Sequence, residues 1–168
     1  MKDQAIRKMV TAAMLAALAC VATMVVQIPS PMDGYLNLGD CFVLLAGFLL
    51  GPWYGAAAGG IGSMLADVFA GYGYWAPGTL VIKGLVALTA ALLYRAMGRR
   101  FSGALVGGLV GEAVMVAGYF GFAALFLGKG LPAAASIPGN LLQGAVGLVA
   151  GLLLLQAAKR VKLERKLG

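Results

Sequence analysis

Residues 39–55 read GDCFVLLAGFLLGPWYG, an apolar run opened by Asp40 and cut off at Gly51-Pro52. Proline lacks the backbone donor that the next helical turn needs and restricts the residue before it, so a helix ends here. A helix over 39–50 is about 18 Å long at 1.5 Å per residue, too short to cross a hydrocarbon core of about 30 Å. It therefore begins below the membrane surface or is extended by the segment before it. A second helix, over 53–70, starts immediately after the break.

The pattern continues along the chain. Of 168 residues, 61% are hydrophobic and 11% charged, and apolar stretches recur over the whole length. A soluble domain of this size carries far more charge. Further helices are expected over 5–27, 78–97, 102–127 and 134–158, which makes the chain an all-α integral membrane protein, a single domain over 1–168 with six transmembrane helices in a compact bundle. Pro29, Pro31 and Gly34 make 28–38 a loop, Gly71-Tyr72-Gly73-Tyr74-Trp75-Ala76-Pro77 forms an aromatic turn, and Gly128-Lys129-Gly130-Leu131-Pro132 links the last two helices. The basic start followed by the apolar run 9–26 has the charge order of a signal peptide. That run is longer than the roughly 7–15 residues of a signal core, and Leu18 stands one place too close to Cys20 for a lipoprotein cleavage site, so the segment reads as a retained helix.

Six crossings return the chain to its starting side, and the basic residues test this count through the positive-inside rule. Cytoplasmic termini place Lys2, Arg7, Lys8, Arg95, Arg99, Arg100, Lys159, Arg160, Lys162, Arg165 and Lys166 inside, leaving Lys83 and Lys129 of the 13 basic residues elsewhere. The cell membrane of a prokaryote is the expected location. The net charge of +7 thus follows topology and forms no basic face for nucleic acid. With no His and only Cys20 and Cys41, the usual zinc sets, catalytic triads and disulfide frameworks are excluded. No catalytic residue, metal or cofactor is expected.

Small residues repeat at helical spacing: Gly55, Gly59, Ser63 and Asp67 every four residues, Gly107 and Gly111, and Gly144, Gly147 and Gly151. Such seams let helix backbones approach closely in lipid, where no hydrophobic drive operates between helices. Ala12, Ala16 and Cys20 form one stripe of the first helix, with Ala13 and Ala17 beside it. That surface packs internally or receives another subunit.

The ionisable residues within spans are Asp40, Asp67, Lys83 and Glu112, each costing about 2.5–3.5 kcal/mol at a helix centre when unpaired. Asp40, Asp67 and Lys83 fall in the outer half. Glu112 lies near the midplane, on a face that continues outward through Met115, Tyr119 and Phe122. Asn140 and Gln143 add two amides at similar depth, and Tyr35, Asn37, Tyr72, Tyr74 and Trp75 lie in the loops above. Polar groups and rings converging at one level suit a pocket for a small polar ring compound. The plainer alternative is that Asp40 or Asp67 pairs with Lys83 as a buried structural bridge and that the aromatics form an interfacial belt.

Leu38-Gly39-Asp40, Gly51-Pro52-Trp53-Tyr54-Gly55, Gly62-Ser63, Asp67, Gly71-Tyr72 and Pro77-x-Thr79-x-x-x-Lys83-Gly84 resemble the S component of an energy-coupling factor (ECF) vitamin transporter, in its riboflavin-type branch. The likeness covers nearly the whole chain and is most specific over residues 36–84. It implies a high-affinity substrate-binding subunit that captures a B vitamin or precursor near the outer face. It also implies docking through small residues of the first helix, here Ala12, Ala13, Ala16, Ala17 and Cys20, onto a transmembrane scaffold driven by two ATPase subunits. The ligand-binding set is then Asp40, Asp67, Lys83, Glu112, Tyr119, Asn140 and Gln143, with Asn37, Tyr35, Tyr74 and Trp75 above them. The mixed acids, single lysine and two amides suit a pyridoxine-like or hydroxymethylpyrimidine-like compound better than riboflavin or a polyanion. The chain has no Gly-x-x-x-x-Gly-Lys-Ser/Thr motif, so ATP-driven transport requires partners. The competing classes are a stand-alone proton- or ion-coupled carrier and a membrane-embedded enzyme.

Overall fold

A computed structural model describes residues 2–31, 33–161 and 163. The described residues include six α-helices: α1 (Lys2–Val25), α2 (Asp40–Leu50), α3 (Pro52–Phe69), α4 (Ala76–Ala96), α5 (Phe101–Gly121) and α6 (Ile137–Arg160). A π-helical turn, Phe122–Phe126, prolongs α5, and a 3₁₀ turn, Leu131–Ser136, leads into α6. The segments Gln4–Val25, Ala76–Ala96, Phe101–Phe126 and Leu131–Arg160 are long and apolar enough to cross a membrane. Lys162, Arg165 and Lys166 of the expected basic tail lie outside the described residues.

The expected loop over 28–38 holds two strands, a correction to the all-α reading. Strand β1 (Ile28–Ser30) pairs antiparallel with β2 (Gly34–Leu36), with Ile28 opposite Leu36 and Pro29 opposite Tyr35. Pro29 and Pro31 prevent helix here, and a two-stranded ribbon tolerates proline because its outer edges need no donor. Asp33 takes a positive φ of 53° in the connecting turn, a conformation that Asp adopts more readily than most residues.

The short α2 is the centre of the bundle. It is apolar all round, and ten of its eleven residues are buried, Phe42 being the exception, as expected of a helix with no polar face. Leu15 and Ala19 of α1, Val86, Ala87, Ala90 and Tyr94 of α4, and Leu148, Leu152 and Leu155 of α6 share its core. Glycines set the spacing: a Cβ on Gly55 would lie 2.6 Å from the Gly47 Cα, and one on Gly107 would lie 2.7 Å from the Ala90 carbonyl oxygen. Gly51, at φ 84°, makes the corner between α2 and α3 beside the Arg95 guanidinium.

The two ends of the bundle differ in chemistry. At the Gly51 end stand Arg95, Arg99 and Lys159; the Lys159 ammonium donates to the Arg99 carbonyl at 3.1 Å and lies 5.2 Å from the Tyr94 ring centre. At the other end the ribbon meets the aromatic turn and the 127–130 connection. There Trp75 Nε1 donates to the Asp33 carbonyl at 3.1 Å, and Lys129 pairs with the Asp33 carboxylate at 3.0 Å.

Gly107→Val forces a branched side chain against the Ala90 carbonyl and is expected to cost about 1–3 kcal/mol. Gly121→Ala adds a methyl where nothing lies within 4 Å and is expected to be neutral or stabilising by about 0.5–1 kcal/mol. Melting of both variants in detergent checks the contrast.

Candidate functional site

Asp40 opens α2, where an acid also complements the helix dipole. Its carboxylate is wholly buried and forms a salt bridge with Lys83 of α4, itself 1% exposed. Gln143 of α6 donates from Nε2 to the other Asp40 oxygen at 2.6 Å, and the Lys83 ammonium also lies 3.1 Å from the Met115 sulfur. The Asn37 backbone N–H donates to Gln143 Oε1 at 2.9 Å, while the Asn37 side-chain oxygen accepts the Gly39 N–H at 2.9 Å. Three helices and the end of the ribbon are thus tied through one carboxylate. Partners on both sides are what make a buried charge tolerable at this depth.

A cavity lies above this network, at the end away from Arg95. It encloses about 480 Å³ including its mouth, within the range of small-molecule sites. Ser30, Gly34, Tyr35 and Asn37 come from the ribbon and its continuation, Asp67 from α3, and Trp75 and Thr79 from the start of α4. Tyr119 of α5, Ser136 just before α6, and Asn140 and Gln143 of α6 complete the lining.

Hydrogen bonds orient most of this wall. The Tyr35 hydroxyl donates to Asp67 Oδ1 at 2.6 Å, and the Tyr119 hydroxyl donates to Thr79 Oγ1 at 3.2 Å. The Trp75 ring stands edge-on to Tyr119 at 5.9 Å, and the Lys83 ammonium sits behind Tyr119, 5.4 Å from its ring centre. Ser136 donates to the Ala133 carbonyl at 2.8 Å. Thr79 is a second side-chain partner of Asp67, whereas no hydrogen bond within the described residues reaches the Asn140 amide.

Seven of the eleven ligand-binding residues expected from the sequence line this cavity: Asp67, Tyr119, Asn140, Gln143, Asn37, Tyr35 and Trp75. Asp40 and Lys83 lie in the network beneath it. Glu112 also lies in the core, 6% exposed, with both carboxylate oxygens unpartnered and one of them 3.1 Å from where a Cβ on Gly144 would stand. Tyr74 is at the rim, half exposed and hydrogen-bonded to the Asp33 carbonyl. Ser30, Gly34, Thr79 and Ser136 complete the wall without having been singled out. Thr79 precedes Lys83 by four residues, and Ser136 precedes Asn140 by four, so helical spacing was a usable signal for both. Nothing local marked Ser30 or Gly34. Among the described residues, no three His, Cys, Asp or Glu side chains converge as metal ligands.

A second concavity, about 980 Å³ including its open side, runs between α1 and α3. Ala12, Ala13, Ala16, Ala17 and Cys20 form its α1 wall, facing Ala57, Ala58, Ile61, Leu65 and Phe69 of α3. Gly62 meets the Ala16 backbone, so the stripe packs internally on one side, while Ala13 and Ala17 remain exposed on the other.

A family model described as "ECF-type riboflavin transporter, S component" matches residues 3–160. A Pyrococcus woesei protein described as an uncharacterized protein in the gap 3′ region is 40% identical over 132 residues, which cover 78% of this chain and 87% of that one. Among solved structures, the S component of a bacterial ECF transporter aligns at a TM-score of 0.72 and 25% identity, covering 93% of this chain and 98% of the other. The S component for biotin from an ECF-type ABC transporter aligns at a TM-score of 0.66 over 96% of this chain and 94% of the other, with 18% identity, a likeness of fold alone.

Lys83→Met strands the Asp40 charge and is expected to cost about 3–5 kcal/mol, most of it regained in Asp40→Asn/Lys83→Met; denaturation of the three proteins in micelles measures the cycle. Burial, then the hydrogen bond to Asp67, hold the Tyr35 phenol well above the usual tyrosine range. The folded chain therefore keeps this proton where the unfolded chain loses it. Its contribution is complete below about pH 10 and is lost as pH rises further. The stability of the wild type relative to Tyr35→Phe should fall across that range in a pH series of melting curves.

Proposed function

The chain belongs to the family of ECF-type riboflavin transporter S components, and from that premise we propose that it is the high-affinity binding subunit of an ECF-type importer for a B vitamin or vitamin precursor. S components of these transporters are integral membrane proteins that bind a vitamin and associate with an ECF module, and they are not enzymes. The observation that carries the reading is the aromatic-walled cavity under the ribbon, where Tyr35, Trp75 and Tyr119 stand with Asp67, Asn140 and Gln143. In this reading the bundle crosses the cell membrane six times with both termini in the cytoplasm, so the basic end faces inward and the cavity outward. A pyridoxine-like or hydroxymethylpyrimidine-like compound is preferred to riboflavin. The lack of a cationic side chain among its described lining residues supports that choice.

Uptake then depends on a transmembrane scaffold with two ATPase subunits, and the α1–α3 groove is the proposed docking surface. Its alanines permit close approach by a partner helix, the only strong source of contact energy between apolar surfaces in lipid. One observation favours a second reading: Glu112, in mid-helix with both oxygens unpartnered, has the environment of a proton site in a stand-alone carrier.

Two measurements separate these readings. Ala13→Trp and Ala17→Trp, at exposed groove positions, should abolish vitamin uptake by cells that also produce an ECF module, while calorimetry shows ligand binding unchanged. Parallel loss of binding would remove the case for a separate docking surface. Uptake by the purified chain alone in proteoliposomes under a pH gradient, eliminated in Glu112→Gln, would replace the subunit reading with the carrier.

A further inference from the structure

A closed circuit of side-chain contacts runs through the cavity wall. One arc of it is aromatic: the Tyr35 ring of the ribbon lies 4.7 Å from Tyr72, Tyr72 lies 6.4 Å from Tyr74, Tyr74 lies 6.1 Å from Trp75, and Trp75 stands edge-on to Tyr119 of α5 at 5.9 Å. The other arc is polar and joins the same two ends. It runs from Tyr119 to Thr79 at 3.2 Å, from Thr79 to Asp67, and from Asp67 to Tyr35 at 2.6 Å. Of the circuit, Tyr35, Asp67, Trp75, Thr79 and Tyr119 line the cavity.

The chemistry of the polar arc fixes its direction. A carboxylate accepts and does not donate, so the Tyr35 and Thr79 hydroxyls both give their protons to Asp67. Thr79 then has only lone pairs left for Tyr119, whose hydroxyl donates. All three hydroxyl protons are committed within the wall, and neither tyrosine has one to give a ligand. Asp67 and Thr79 are both buried, so water competes little for these bonds, and each is stronger than it would be at the surface. The two arcs differ in what they can hold. Aromatic pairs tolerate offset and tilt, which leaves the rings room to slide. Hydrogen bonds to a charged acceptor are stronger and weaken steeply off line, so the polar arc sets where the two ends of the aromatic one stand.

We infer that Asp67 and Thr79 are positioning residues, which tie the ends of the aromatic arc together and so fix the relative placement of Tyr35 and Tyr119, on which the choice among flat ligands depends. Asp67 acts through Tyr35 and Thr79, not through contact with the ligand. The selectivity assigned here rests on the binding-subunit reading.

The test uses the full-length protein in detergent with Trp53→Phe as the parent. Trp53 is exposed at the Gly51 end, and its replacement leaves Trp75, buried against Tyr119, as the only tryptophan. In the ligand-free protein, Thr79→Val keeps the side-chain shape but removes the hydroxyl. It should move Trp75 emission to longer wavelength and raise its quenching by acrylamide, whereas Thr79→Ser, which keeps the hydroxyl, should restore most of the parental signal. Calorimetry with pyridoxine, 4-amino-5-hydroxymethyl-2-methylpyrimidine and riboflavin then measures binding. For a probe that binds the parent, Thr79→Val should weaken affinity about 10-fold, the worth of one such hydrogen bond, and Thr79→Ser should recover most of the loss. Asp67→Asn should weaken binding in the parent but add nothing in Tyr35→Phe/Thr79→Val, where the partners of Asp67 are gone. A parental Trp75 signal in Thr79→Val, equal behaviour of the Val and Ser variants, or an undiminished loss from Asp67→Asn in the double variant would each overturn the inference, the last by placing Asp67 on the ligand itself. Should the double variant fail to fold, the cycle between Asp67→Asn and Thr79→Val decides, with a fully additive loss overturning the inference. Absence of binding to any probe by folded protein would overturn the binding-subunit reading and with it the selectivity, while the Trp75 signals of the Val and Ser variants would still decide the positioning role.

Discussion

The Asp40 carboxylate, wholly buried at the first turn of α2, is the constraint on which the rest of the architecture depends. A charge at that depth is tolerable only with partners on each side, and Lys83 and Gln143 supply them from α4 and α6. The register of three helices is thereby set at one level. Gln143 passes the constraint on to the ribbon through the Asn37 backbone, so the cavity floor and the lower edge of its cover belong to one hydrogen-bonded unit. The network also withdraws the core's lysine from the cavity, which is why the wall above carries acid and amide chemistry.

Around that point the bundle is held by close approach. α2 is too short to cross a bilayer and too apolar to meet water, so the other helices enclose it, and glycines at Gly47, Gly55 and Gly107 let their backbones come near. The alanines of α1 divide this role. One side receives Gly62 of α3, and the other leaves an apolar groove. The groove and the polar cavity share no lining residue, although α3 contributes to both.

Much of this was legible in the sequence because its signals are local. Hydrophobic length, Gly-Pro breaks and the distribution of lysine and arginine depend on a few neighbouring residues and on the solvent, so helix number and order followed, with bounds that moved by three residues or fewer once the π-helical turn after α5 is counted with it. The ribbon was not legible: its strands are three residues each, shorter than any alternation that marks a strand, and proline in both the first strand and the turn reads as irregular chain. The site was legible by residue type. A charge or amide within an apolar helix announces that it needs partners, and with the polar and aromatic residues placed above them, seven of the eleven residues singled out line one cavity.

Which partners those residues find is a different matter. Asp40, Asp67, Lys83 and Glu112 look alike in the sequence, each an ionisable group in an apolar run. Pairing is decided across 43 residues for Lys83 with Asp40 and 103 for Gln143 with Asp40, by helix rotation and depth that no local pattern encodes. The sequence by itself determined that this chain is a small-residue-packed membrane bundle with a few polar groups inside its apolar helices, because the lipid solvent imposes that on each segment separately. Only the tertiary structure decided that one acid is neutralised by the lysine, that another takes the Tyr35 hydroxyl beside the cavity, and that a third has no hydrogen-bond partner among the described residues of the core. The energy of a buried charge depends on what other helices bring within a few ångströms, and that is a property of the packed bundle.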